Sequence, residues 1–315
     1  MGATDQQQPI SAKILPAICM TVLLSNLACW SPPKPDAGPA ARSDRTPTAS
    51  ETRETPGGNL NASENKDAKK LGYEANLPTG FVPPADEVGR KLLKEYGAVF
   101  VARGGAIPPT TVIFKDEAAV SAFQNSLTIS SKSIGGINIE LQSAAMDALE
   151  KAVAEAQSSG KTITPRGSDA ARRNYTGTVE LWKSRVDPGL THWTGKGRIT
   201  ASDAARIRGL SPFEQVPEIL KLESQGIFFA KDLSKSIIYS VAPPGTSQHL
   251  SMLALDVTEH DQTDVRTILA KHGWYQTVVS DLPHFTFLGV KENELEGLGL
   301  IKQVSGGREY WLPSL

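Results

Sequence analysis

The chain has 315 residues, of which 39% are apolar, and this composition excludes a fibrous or a fully disordered protein. Its 33 basic and 34 acidic side chains leave a formal net charge of −1, so charge gives no case for a nucleic-acid partner or for an anionic membrane surface. The two cysteines, Cys19 and Cys29, lie within the first thirty residues, which leaves histidines and carboxylates as the metal ligands of the remaining chain.

The start of the chain, residues 1–29, has the features of an export signal. Residues 14–24 form an apolar run that is too short to span a bilayer but fits the apolar region of a signal peptide. Behind it, Leu27-Ala28-Cys29 resembles the end of a bacterial lipoprotein box. The alternatives are a lipidated Cys29 that tethers the chain to a membrane, ordinary cleavage, or an uncleaved anchor. We expect an exported protein of the periplasm or cell envelope.

Residues 30–76 consist mostly of Pro, Ala, Ser, Thr, Gly and charged residues, with almost no large aliphatic side chains. Such a segment cannot bury enough apolar surface to offset its ordering entropy, so the sequence predicts a disordered tether. Residues 77–137 are predicted to form a small α/β lead-in region. Its pattern favours a helix over residues 86–96 and short strands over residues 98–102 and 110–114.

Residues 138–315 are predicted to form a second, larger domain in which helices precede a small sheet. Helical spacing of apolar residues predicts helices over residues 143–157, 169–186, 201–209, 214–225 and 261–272. Alternating or β-branched runs predict strands over residues 237–241, 253–257, 275–279 and 284–288. This order predicts an α+β fold, with helices packed on a small, mostly antiparallel sheet.

Two of the five histidines stand in a context that favours metal binding. His249 follows a rigid Pro-Pro-Gly loop and lies seven residues before Asp256, which belongs to a predicted strand. His284 begins another predicted strand, and Asp281 stands three residues before it on a turn. Two imidazoles and one carboxylate, with a fourth position open to water, form a common catalytic zinc site. The sequence therefore predicts a metal held by His249, Asp256 and His284, with Asp281 beside the water as general base.

Both segments resemble signatures of the LAS family of zinc peptidases, which includes the D-alanyl-D-alanine carboxypeptidases of the vancomycin-resistance type. Residues 247–256, SQHLSMLALD, match four of the five fixed positions of S-x-H-x-x-G-x-A-x-D. Residues 281–284, DLPH, resemble the second signature, a carboxylate two residues before the third zinc-binding histidine. The resemblance covers roughly residues 139–290. It implies a fold of the LAS or hedgehog-like type and Zn²⁺ as cofactor.

The resemblance also implies substrate-binding residues. Ser247 is expected to hydrogen-bond the substrate or to orient its loop. Met252 replaces the usual glycine and is expected to change which substrate shapes the site accepts. The stretch PRGSDAARRNY is similar to a Tyr-Arg-Ser-type segment of the family, with Arg173 as the preferred match and Arg172 as the second. A guanidinium there is expected to bind the peptide carboxylate or to stabilise the oxyanion of the tetrahedral intermediate.

The expected substrate is the stem peptide of peptidoglycan, and the expected protein is a monomer. A D-alanyl-D-alanine carboxypeptidase releasing terminal D-alanine is the first hypothesis, and an endopeptidase of the same family is the alternative. A non-catalytic wall-binding module would be favoured if Asp281 did not face the metal. A purely structural envelope lipoprotein would place the imidazoles of His249 and His284 more than about 6 Å apart.

Overall fold

The computed structural model describes residues 72–315. The expected export signal, Cys29 and nearly all of the expected tether lie outside the described residues, so they stay predictions. Across residues 72–315, no helix has the length and apolar character needed to cross a membrane.

The α-helices that position the rest of the fold lie between residues 87 and 271. They are α1 Glu87–Tyr96, α2 Glu117–Asn125, α3 Ser143–Ser158, α4 Tyr175–Gly195, α5 Ala201–Gly209, α6 Pro212–Glu223 and α7 Thr263–Lys271. Local sequence explains several of their starts. Asp86 caps α1 by accepting a hydrogen bond from Gly89 N at 2.7 Å, and Ser211 with Glu214 forms a capping box at the start of α6.

The strands form three small antiparallel sheets. They are β1 Ile129–Ile134, β2 Ile137–Gln142, β3 Ala254–Asp256, β4 Trp274–Tyr275, β5 His284–Phe287, β6 Leu300–Ser305 and β7 Arg308–Pro313. The strands β1 and β2 pair with each other, β6 pairs with β7, and the remaining three have the order β3-β5-β4. The described residues therefore have a mixed helix and sheet architecture with small antiparallel sheets, as the sequence predicts. The two hairpins were not expected.

Three of the predicted strands are wrong, and a fourth, over residues 275–279, is a strand only at Tyr275, the last residue of β4. Residues 98–102 mostly belong to the 3₁₀ helix Gly97–Val101, residues 110–114 are irregular, and residues 237–241 begin with the 3₁₀ helix Ile237–Tyr239. Val99, Phe100 and Val101 are all buried. A short apolar run that is buried on every side carries no periodicity to separate strand from helix.

One hydrophobic core joins the lead-in region to the rest of the described chain. Tyr73 and Leu92 belong to the same cluster of buried residues as Trp182, Trp274 and Trp311. The predicted boundary between residues 137 and 138 falls at the start of the second strand of the β1-β2 hairpin. All four residues of β5 are buried, so this strand runs through the interior and carries His284 into it.

Candidate metal centre

The register of the central sheet brings two of the predicted ligands together. Asp256, the last residue of β3, lies directly opposite His284, the first residue of β5. Directly opposed residues of an antiparallel pair point to the same face of a sheet, so the carboxylate and the imidazole lie side by side. His249 joins them from a 3₁₀ turn, Gln248–Ser251, which two residues separate from β3 along the chain.

Three side-chain atoms form a nearly equilateral triangle. His249 Nε2 lies 3.1 Å from His284 Nδ1, and Asp256 Oδ1 lies 3.3 Å from each of these nitrogens. Ligand atoms held tetrahedrally at about 2.0–2.1 Å from a metal are separated by about 3.3 Å, so the triangle fits a single ion. His249, Asp256 and His284 are a group that could hold a metal ion. The 3.1 Å between His249 Nε2 and His284 Nδ1 is far below the separation of about 6 Å that would exclude a shared metal.

Hydrogen bonds on the far side of each imidazole fix which nitrogen faces the centre. His249 Nδ1 lies 2.9 Å from the carbonyl oxygen of Ala171, an acceptor, so Nδ1 carries the proton and Nε2 keeps its lone pair. His284 Nε2 lies 2.8 Å from Gln248 Oε1, which leaves the lone pair on Nδ1. Such outer partners orient ligands in metal sites.

The orientation of Gln248 follows from its other contacts. Its Nε2 donates to the carbonyl of Tyr96 at 2.9 Å, and this carbonyl can only accept. Oε1 must therefore face His284, where it also accepts hydrogen bonds from Thr286 and Thr277. Gln248 is a site residue that the sequence reasoning missed. The available signal was its place between Ser247 and His249 inside the first motif, but an amide there has no reason to be singled out before its contacts are known.

The third predicted ligand, Asp256, has separate partners for its two oxygens. Oδ1 faces the imidazoles, whereas Oδ2 accepts a hydrogen bond from Arg173 Nη2 at 2.7 Å. Burial alone raises the pKa of Asp256, but the neighbouring His249 and His284 outweigh it and hold this pKa far below the usual range. Burial lowers the pKa of His249, despite the opposing effect of Asp256. An ionised carboxylate and a neutral imidazole are the forms that bind a metal.

The loop before α4 brings the carbonyl of Ala171 and the guanidinium of Arg173 to the centre. Asp256 N donates to the carbonyl of Ala170 at 2.8 Å, and Arg166 N donates to the carbonyl of Asp256 at 2.9 Å. These bonds hold residues 166–170 against β3. They explain why α4 begins at Tyr175, not at residue 169 as predicted, with Asn174 accepting from Gly177 N as its cap.

The centre opens on a cleft of about 220 Å³. Among its lining residues are five that the sequence singled out, Arg173, Ser247, His249, Asp281 and His284. Asp281 stands on the turn before β5, where its carbonyl accepts from His284 N at 3.2 Å. The structure thus places the predicted base on the wall of the cleft that the two imidazoles also line.

Comparisons with known proteins give one structural likeness. No family model matches the chain, and no curated protein matches it. Among solved structures, the chain is similar to a mutant of the vancomycin-resistance D,D-pentapeptidase VanY, from a VanB-type resistance cassette, in complex with Zn(II). The identity is 16%, the TM-score is 0.27, and the match covers 52% of this chain and 79% of that chain. A likeness at this level carries no inference about activity.

The remaining two predicted site residues lie away from the cleft lining. Arg172 donates from Nε to Gln124 at 2.9 Å and from Nη1 to Glu140 at 2.7 Å. Met252 is 0% exposed and has φ +58°, in the left-handed region. Glycine reaches this conformation without strain, which gives a backbone reason for the glycine of the motif at this position. Neither side chain borders the cleft in this structure.

Proposed function

We propose that this protein is a zinc-dependent peptidase that hydrolyses the stem peptides of peptidoglycan in the bacterial cell envelope. The observation that carries the proposal is the triangle of His249, Asp256 and His284 on a cleft that Asp281 also lines. Zinc suits two imidazoles and one carboxylate with a position left open for water. The substrate class rests on the resemblance of the two sequence motifs to the LAS peptidases, and the location rests on the N-terminal segment.

Bound zinc would polarise the scissile carbonyl and lower the pKa of a water molecule. Asp281 accepts a proton from the attacking water while the water oxygen bonds to the carbonyl carbon. It then passes this proton to the amine nitrogen as the carbon–nitrogen bond breaks. The products are a new carboxyl terminus and a free amine. Ser247 is the first residue of the first motif and lines the cleft, where it orients the substrate or its own loop.

Within this class we propose a D-alanyl-D-alanine carboxypeptidase that releases the terminal D-alanine. An endopeptidase would use the same ligands and base, so the metal centre alone does not separate the two. The position of Asp281 in the cleft favours an enzyme over a non-catalytic wall-binding module.

The decisive experiment measures zinc content and D-alanine release from a stem pentapeptide. We compare the full-length chain with its Asp281→Ala variant, and with Asp264→Ala on the surface of α7 as a matched control. We expect one zinc per chain in all three proteins, and a kcat for Asp281→Ala lower by about 10²- to 10⁴-fold. Zinc with cleavage inside the stem would indicate an endopeptidase. Zinc with no cleavage would indicate a binding module, and absence of zinc would remove the proposal.

A further inference from the structure

One charged side chain in the cleft has no part in the metal centre. Arg185, on α4, lines the cleft together with Arg173 and Asp281. Arg173 already donates to Asp256 and to the carbonyl of Asp169. The guanidinium of Arg173 is therefore held at the carboxylate of Asp256. Arg185 is the other arginine that lines the cleft, and its guanidinium can bind a ligand.

The partners of Arg185 are neutral. Its Nε donates to the hydroxyl of Ser240 at 2.9 Å, and its Nη1 donates to the hydroxyl of Ser184 at 2.8 Å. Among residues 72–315, no carboxylate lies within ion-pair distance of the guanidinium, and Nη2 donates to none of their atoms. The two hydroxyls orient the side chain without neutralising its charge. An incoming anion would not have to displace a protein carboxylate.

Two large, exposed apolar side chains line the same cleft as Arg185. Thr178, Leu181 and Arg185 are spaced by three and four residues, so they lie on one face of α4, and all three line the cleft. Leu181 is 42% exposed, and Tyr239, which also lines the cleft, is 46% exposed. Large apolar side chains exposed at a cleft next to an unneutralised cation suit a ligand that has a small apolar group beside a negative charge.

We propose that Arg185 binds the terminal carboxylate of the substrate, so that the cleft accepts the end of a peptide and not its interior. This inference rests on the proposed function and selects the carboxypeptidase over the endopeptidase. A guanidinium recognises a carboxylate with two parallel hydrogen bonds. Leu181 and Tyr239 would contact the methyl group of the last residue. The cleft, at about 220 Å³, is smaller than the usual ligand pocket of roughly 300–1,000 Å³, as suits a short peptide end.

The test uses two forms of one stem pentapeptide, one ending in a free carboxylate and one ending in an amide. The zinc-loaded full-length protein is expected to cleave the acid with a kcat/KM about 10- to 100-fold above that of the amide. In Arg185→Gln this preference disappears, chiefly through a higher KM for the acid. Arg185→Lys retains part of the preference because the charge remains while the two-pronged geometry is lost. Lys183→Gln, an exposed residue of the same helix, leaves the preference unchanged.

A binding measurement separates this inference from the proposed function. Calorimetry with D-alanyl-D-alanine and its amide needs no turnover. Tighter binding of the acid by the unmodified protein, lost in Arg185→Gln, supports the inference even if no peptide is cleaved. Arg185→Gln that keeps the preference for the acid, in cleavage or in binding, overturns it. Unmodified protein that binds or cleaves acid and amide equally well also overturns it, while leaving a zinc endopeptidase intact.

Discussion

Arg173 Nη2 lies 2.7 Å from Oδ2 of Asp256, while Oδ1 of the same carboxylate lies 3.3 Å from both His249 Nε2 and His284 Nδ1. The guanidinium therefore holds the oxygen that points away from the centre and turns the other oxygen toward the imidazoles. The sequence assigns Arg173 to the substrate. In the structure it instead contacts Asp256, a predicted metal ligand.

Replacement of Arg173 should therefore weaken metal binding. Loss of an outer partner of a ligand typically reduces metal affinity by about 10- to 100-fold, and we expect this reduction for Arg173→Met. Competition with a chelator measures it. Arg172→Met is the matched control, because Arg172 contacts Gln124 and Glu140 instead. Unchanged zinc affinity with a raised KM in Arg173→Met would return Arg173 to a purely substrate-binding role.

Gln248 should matter for both metal affinity and stability. Gln248→Leu removes the acceptor of His284 Nε2 and leaves this N–H and the Tyr96 carbonyl without their partner. Each buried group left without a hydrogen bond costs about 1–3 kcal/mol. We expect a free energy of unfolding lower by about 2–4 kcal/mol in urea titrations, and weaker zinc binding. Gln225→Leu, at an exposed position, should change neither property. Wild-type zinc affinity in a folded Gln248→Leu protein would contradict the role of this network.

Met252 permits a test of backbone strain. A protein is usually more stable with alanine than with glycine at a given position. At the φ of +58° found for Met252, this order should reverse. Both Met252→Gly and Met252→Ala lose a buried side chain, so both are less stable than the parent. We expect Met252→Gly to exceed Met252→Ala by about 0.5–1 kcal/mol in free energy of unfolding. At Leu253, which is buried without a positive φ, the alanine variant should be the more stable. The same order at both positions would show that Met252 is unstrained.

The stability of the protein should depend on pH through the buried carboxyl group of Glu223. Burial raises its pKa, although it accepts hydrogen bonds from Phe229 N, Ser236 Oγ and Ile237 N. The folded state therefore holds this proton at a higher pH than the unfolded state does. The stability contributed by protonation is fully present below the unfolded pKa and is lost as pH rises through the folded pKa.

Glu223→Gln should remove this part of the pH dependence. Its amide oxygen keeps an acceptor for the two backbone donors, and the serine hydroxyl can rotate to accept from the amide group. Urea titrations of the metal-free protein from pH 4 to 8 should show a smaller loss of stability with rising pH than in the parent. An identical slope in the two proteins would mean that Glu223 does not titrate in this range. Glu218→Gln, on the same helix, serves as the control.

Most of the helices, and the residues of the candidate metal centre, were accessible from sequence, but helix α2 was not predicted. Helices were predicted over residues 86–96 and 201–209 from their apolar spacing, and the structure has helices there within one residue. The strand carrying Asp256 and the strand beginning at His284 were also predicted. Their pairing was not, because a register between segments twenty-eight residues apart depends on packing that no local pattern records.

What the sequence by itself determined is the chemistry available: two histidines and two aspartates at motif spacing, in a part of the chain without cysteine. Tertiary structure alone decided which atoms face one another. It placed Oδ2 of Asp256 on Arg173, Nε2 of His284 on Gln248, and Met252 in a left-handed turn outside the cleft. The physical reason is that a side-chain hydrogen bond depends on distances of about 3 Å between groups far apart in the chain, and the fold as a whole sets those distances.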